Sequence, residues 1–164
     1  MTTRRSLILQ AMAGAMLATA GPALAQARTV GAIRVDTARL AAQGWGPRSQ
    51  EIKRDLERQL ATTLAPMIRR GGPVLTVTVK GVWLASWAGG GGGGKPGAGG
   101  ASMDNFDADY VLTGPRGEVL GQWTILSTIG SDSGGAWYRP DVDQRRVAAL
   151  IENNALWIRR YLGG

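Results

Sequence analysis

The chain has 164 residues, six tryptophans, a net charge of +7, and neither cysteine nor histidine. That composition excludes disulfides and thiolate metal sites, and it removes the side chain that most often serves as general base, metal ligand or pH switch. The basic excess suits phosphates or carboxylates as counterparts and is equally the ordinary solvated charge of a surface.

In chain order, MTTRR is a short basic start and Ser6–Ala20 is an uncharged, mostly apolar run. Pro22 and Ala23-x-Ala25 then close the layout of a secretory signal peptide, with cleavage expected after Ala25 or Ala27. A membrane span needs about 20 apolar residues, and this run stops short. Thr3-Arg4-Arg5-Ser6-Leu7-Ile8 also resembles a twin-arginine export signal. No cysteine follows the apolar run, so no lipid anchor is expected. These features predict a periplasmic domain of 139 residues from Gln26 to Gly164, with no membrane span; loss of Arg4 and Arg5 lowers its charge to +5. Export argues against nucleic acid as a partner.

Thr29–Asp36 alternates, with Gly31, Ile33 and Val35 on one side, and predicts a strand. Residues 37–50 read as a connection, because Gly44, Gly46 and Pro47 interrupt any helix. From Ser49, Ile52, Leu56, Leu60, Leu64 and Ile68 recur every fourth residue, which predicts an amphipathic helix with Ser49 as its N-cap. Pro66 should fray its last turn, and Gly71-Gly72 should stop it.

Pro73–Trp87 alternates next, with Leu75, Val77 and Val79 inward, and the same parity assigns Trp83 and Trp87 to the core. Residues 106–112 repeat the pattern with Phe106, Ala108, Tyr110 and Leu112. Gly114–Gly117 is a turn into the partner strand Glu118–Gly130, which carries Trp123 at core-facing parity, so the last two strands should form an antiparallel hairpin. A final helix after Asp141 presents Val147, Leu150, Ile151, Ile158 and Tyr161 as its apolar stripe, with Trp157 beside it. The predicted fold is one α+β domain, a two-layer sandwich of β-α-β-β-β-α order with a mostly antiparallel sheet and both helices on one face.

Between the second and third strands lies AGGGGGGKPGAGGA, 14 residues of which nine are glycine. Gly89, Gly94 and Lys95 match the start of a phosphate-binding loop. Pro96, however, stands where a serine or threonine should hold magnesium, and no helix follows to meet the phosphates. The stretch therefore reads as a flexible connection, whose ends as a random coil would lie roughly 20 Å apart. No cofactor is expected.

Asp104, Asp107 and Asp109 cluster in DNFDAD without the spacing of a helix–loop–helix calcium site, so no metal site is expected. Asp107 and Asp109 share a strand face, which leaves a carboxylate-dependent hydrolase as the competing class of function. The candidate partner contacts are Trp45, Trp137 and Tyr138, aromatics in loops whose burial no periodicity forces, together with Arg139. Arg145 and Arg146 join Arg69-Arg70 and Arg159-Arg160 as paired arginines on the two helices. Their outer surfaces would form a basic field for anionic lipid or lipopolysaccharide phosphates.

The exported start, the helix SQEIKRDLERQLATTLAPMI and the strand PVLTVTVKGVWL after it together resemble a group of small bacterial envelope proteins. The group includes the lipopolysaccharide-assembly lipoprotein and uncharacterised lipoproteins; the present chain departs from it in lacking the lipidated cysteine. The resemblance implies a non-enzymatic accessory role. The expected function is that of a non-catalytic periplasmic binding protein acting on an envelope component or protein partner. Strand addition at a sheet edge is the first binding mode to consider.

Overall fold

The computed structural model describes residues 28–85 and 103–164. The proposed leader, Trp87 and the phosphate-loop match around Lys95 lie outside these residues. Four strands form one sheet in chain order: β1 (Ala32–Asp36), β2 (Val74–Trp83), β3 (Met103–Thr113) and β4 (Val119–Gly130). The β1–β2 pair is parallel, and its crossover runs through α1 (Ala38–Leu40), a widened turn at Ala41–Trp45, and the long α2 (Pro47–Thr63). The β2–β3 and β3–β4 pairs are antiparallel. The second pair closes through the Gly114–Gly117 turn, where Gly117 takes a left-handed φ of 85° and donates its N–H to the Gly114 carbonyl. Helix α3 (Val142–Tyr161) follows and packs with α2 on the same face of the sheet. This is the expected two-layer α+β sandwich.

The core is the set of positions that both periodicities point inward. Leu75, Val77 and Val79 of β2, and Phe106, Ala108, Tyr110 and Leu112 of β3, meet Ile52, Leu56 and Leu60 of α2 and Val147, Leu150, Ile151 and Ile158 of α3. Full burial of each large aliphatic side chain stabilises by about 1.5–3 kcal/mol. Tyr110 brings a hydroxyl into this core, and the molecule satisfies it: the phenol donates to Asn154 Oδ1, whose amide donates to Ser127 Oγ at 2.9 Å and to the Ile125 carbonyl at 3.3 Å. Burial pushes the Tyr110 phenol well above its ordinary pKa, so it stays a donor. The network fastens α3 to both β3 and β4.

Several expectations are corrected. The segment before α2 holds short helical turns over Ala38–Leu40 and Ala41–Trp45, and Gly44, with a left-handed φ of 94°, kinks them, so glycine interrupts the helix there as expected. Ser49 does not cap α2. Pro47 opens the helix, as proline suits a first turn whose N–H groups lack partners, and the buried Ser49 hydroxyl donates to the Gly46 carbonyl at 2.7 Å. At its other end α2 stops at Thr63, a short tight turn over Ala65–Met67 accommodates Pro66, and Ile68 leaves the helical stripe to bridge Val30. The strand parity also breaks. A bulge between Val79 and Gly81 shifts the register by one, so Val82 turns inward and Trp83 turns out, 57% exposed. Trp123 is only partly buried, and Tyr161 is half-exposed rather than part of the core stripe.

The two ends of the described fold meet. The Arg28 N–H donates to the Leu162 carbonyl at 2.8 Å, and the Arg28 guanidinium lies 5.2 Å from the Trp123 ring centre. Beside them Gly31 is required by contact: a Cβ there would sit 2.1 Å from the Gly72 carbonyl oxygen.

Candidate functional site

The carboxylates that the sequence groups together are separated by the pleat of β3. Asp104 points to the helix side, while Asp107 and Asp109 point to the open face. On that face the Lys80 ammonium bridges them, 3.0 Å from Asp107 Oδ1 and 3.0 Å from Asp109 Oδ1. Thr124 of β4 donates to Asp109 Oδ1 at 2.6 Å. The Thr124 hydrogen bond first, and Lys80 second, hold the Asp109 carboxyl below the usual carboxylate range; the two aspartates in turn raise Lys80 above its usual value. Asp109 therefore carries no proton to donate near neutral pH, and Lys80 carries no lone pair to attack with. The cluster ties three strands together across a solvated sheet face. Among the described residues no group of three or more acidic side chains is arranged to hold a metal ion.

Asp104 belongs to a buried network with Arg146. The Arg146 Nε donates to Asp104 Oδ2 at 2.7 Å and its Nη2 to the other carboxylate oxygen; Nη2 also donates to the Ala85 carbonyl at 2.8 Å. Asp143 accepts from Nη1 at 3.1 Å, and the Ala85 N–H donates to Asp104 Oδ1 at 2.9 Å. This places Arg146 at 2% exposure. The expectation that Arg146 faces a partner is overturned: a guanidinium this deep, with a bidentate carboxylate, is a structural cation. The basic field across the helices loses it as well. Arg145 pairs with Asp141 at 2.7 Å, and the groove between α2 and α3 alternates Glu51, Arg54, Asp55, Arg58, Asp141 and Arg145.

Trp137 and Tyr138 are 68% and 74% exposed and contact each other edge to face, with ring centres 5.9 Å apart. Arg139 beside them lies 3.4 Å from Asp141, so Arg139 and Arg145 converge on one carboxylate. Trp45 is partly buried against the core, with the Arg48 guanidinium 5.9 Å from its ring.

The surface that sequence reasoning missed is the outer edge of β4. Among the described residues β4 has no neighbour on that side. Its 12 residues, VLGQWTILSTIG, contain no charge and no proline. Along it runs a groove of about 560 Å³, lined by Thr124, Ile125, Leu126 and Thr128 of the strand and by Asn153, Trp157 and Tyr161 of α3. The Trp157 and Tyr161 rings lie 6.2 Å apart, tilted by 31°, and the Arg160 guanidinium covers the Trp157 ring at 5.2 Å. Leu126 is 60% exposed. The signal for this surface was present in the sequence as an absence, a strand-length run without the lysines, glutamates or prolines that ordinarily protect an edge.

No family model matches the chain, and no curated protein matches it. Among solved structures, the hypothetical protein CT253 from Chlamydia trachomatis is similar with a TM-score of 0.48 and 11% identity, over 84% of this chain and 97% of that one. A minor lipoprotein from Acinetobacter baumannii follows at 0.45 and 11%, over 80% and 89%. A PelC dodecamer from Paraburkholderia phytofirmans gives 0.38 and 14%, over 84% and 93%. A lipoprotein is thus among the similar structures; none of the three is the lipopolysaccharide-assembly lipoprotein. Among the described residues no helix is long and apolar enough to cross a membrane.

Proposed function

We propose that this chain is a non-catalytic periplasmic accessory protein of the bacterial envelope, and that it works by accepting an extended strand on the outer edge of β4. The observation that carries this reading is the pairing of a 12-residue uncharged edge strand with the aromatic groove of Trp157 and Tyr161. Unpaired main-chain groups along the edge supply hydrogen bonds, and the groove supplies a place for alternate side chains of the incoming strand. Export through the basic, apolar and Ala-x-Ala leader is the support for the compartment. Trp137 and Tyr138 are secondary contacts, exposed on the loop that leads from β4 into α3.

The test is affinity capture from envelope fractions with the mature chain and two charge variants, alongside a Trp137→Ala, Tyr138→Ala variant. Leu126→Lys places a charge on the proposed edge, and Thr76→Lys places one on the open face of the central strand β2. Loss of the captured protein with Leu126→Lys alone is the expected outcome. Equal recovery with the mature chain and both charge variants would overturn the edge-strand reading, and loss only with Trp137→Ala, Tyr138→Ala would move the site to that loop. The competing hydrolase reading, built on Asp107 and Asp109, would require turnover that Asp107→Asn, Asp109→Asn abolishes.

A further inference from the structure

We infer that the strand accepted by β4 is the β4 of a second copy of this chain, so that two four-stranded sheets join into one; the inference rests on β4 being the working edge. The first ground is electrostatic. Two mature copies carrying a charge of +5 each repel wherever their arginines face one another. The β4 strand itself carries no charge, and the arginines beside it, Arg28 and Arg160, lie over the Trp123 and Trp157 rings. The adjoining stripe of α3 at four-residue spacing, Ala149, Asn153, Trp157 and Tyr161, is uncharged as well.

The second ground is self-complementarity. Antiparallel pairing about a two-fold axis at Leu126 sets Leu126 against Leu126 and Thr124 against Thr128 on the open face. On the helix side it sets Ile125 against Ser127 and Trp123 against Ile129. Leucine–leucine and threonine–threonine pairs directly opposite each other are favourable, and no position meets a like charge. Gln122 to Gly130 would all find partners. The axis stands normal to the sheet, so both copies keep their helices on the same side, and the two Trp157–Tyr161 grooves close on each other. An isologous contact of this kind is finite: it consumes the edge in both copies and cannot propagate.

The absence of cysteine makes the test clean. Residues opposite each other in an antiparallel pair have Cα atoms about 4.5–5.5 Å apart, within disulfide range. A single Leu126→Cys, lying on the axis, should oxidise to a covalent dimer in high yield. Val119→Cys, equally exposed at 62% against 60% for Leu126, lies far from the axis and should stay at background. In parallel, light scattering of the mature wild type at about 100 µM should give twice the monomer mass, and Leu126→Lys should return the monomer with an unchanged circular dichroism spectrum. A monomeric wild type, or equal cross-linking of the two cysteine variants, would overturn the inference. In that event envelope capture with Leu126→Lys still decides separately whether a foreign strand uses the edge.

Discussion

Arg146 shows how far a residue's role depends on its depth. On an exposed helix face it would be one cation among many; packed against Asp104 it is the centre of a network that leaves little slack. Arg146→Met should cost about 3–5 kcal/mol in urea denaturation, because Asp104 stays buried without its counter-charge. The double replacement Arg146→Met, Asp104→Leu should cost only about 1–3 kcal/mol, the remainder being the stranded N–H and carbonyl of Ala85. A double variant weaker than the single would show that the ion pair is not what matters. On the open face the titration signs differ for the two partners. Asp109, held below the usual carboxylate range, contributes stability that is present above its unfolded pKa near 4 and is lost as pH falls through its lower folded value. Lys80, raised, contributes below its unfolded pKa near 10.4, and that contribution is lost as pH rises through its folded value. Thr124→Val removes the hydrogen bond that dominates the Asp109 shift. The carboxyl should then titrate at a higher pH, read from its carbon resonance by NMR; no movement would assign the shift to Lys80 alone.

The elements were legible in the sequence wherever one periodicity ran unbroken. Leu75, Val77 and Val79, Phe106 to Leu112, and Ile52 to Leu60 are inward as their spacing requires. The errors fall where a local device resets the phase. The bulge at Val79–Gly81 leaves no mark in composition beyond a glycine, yet it exchanges Val82 for Trp83 at the core. Pro47 has the look of a breaker, though at a first helical position it is a starter. The candidate site was less legible than the fold. Trp137 and Tyr138 are as exposed as their glycine-rich loop suggests, whereas Arg146 is not, since a sequence shows that a residue is charged but not that a carboxylate 42 positions away has claimed it. Sheet order was beyond the sequence too. Edge position comes from long-range pairing, and only the structure places β1 and β4 at the two edges of the sheet. At this scale the connection between β2 and β3 is testable. Trp83 pairs with Asn105, so the stems are already neighbours, and Arg146 pins Ala85 to Asp104. Cutting residues 86–102 to about five should raise the unfolding free energy by about 1 kcal/mol, because less loop entropy is lost on folding. A fall in stability instead would mean that the segment makes contacts the native state relies on.

At the scale of the whole molecule, all the thick packing lies on one side of a four-stranded sheet, and the other side is left to water, Lys80 and its carboxylates. Such a body has a front for solvent, a back of helices and two edge strands, β1 and β4. The hydrogen bond between Arg28 and Leu162 adds something different. It brings the two ends of the described fold together at the end of the sheet where β2 begins, whereas Trp83 and Asn105 pair, and Ala85 meets Asp104, at the opposite end. The two ends of the described fold therefore meet at one pole, and the stems of the β2–β3 connection lie at the other. A circular permutant that begins at Met103, runs through α3, crosses a short linker into Arg28 and finishes at Ala85 would keep every strand pair and both halves of the Arg146 clasp. Its order would read β-β-α-β-α-β, a different succession of elements specifying the same shape.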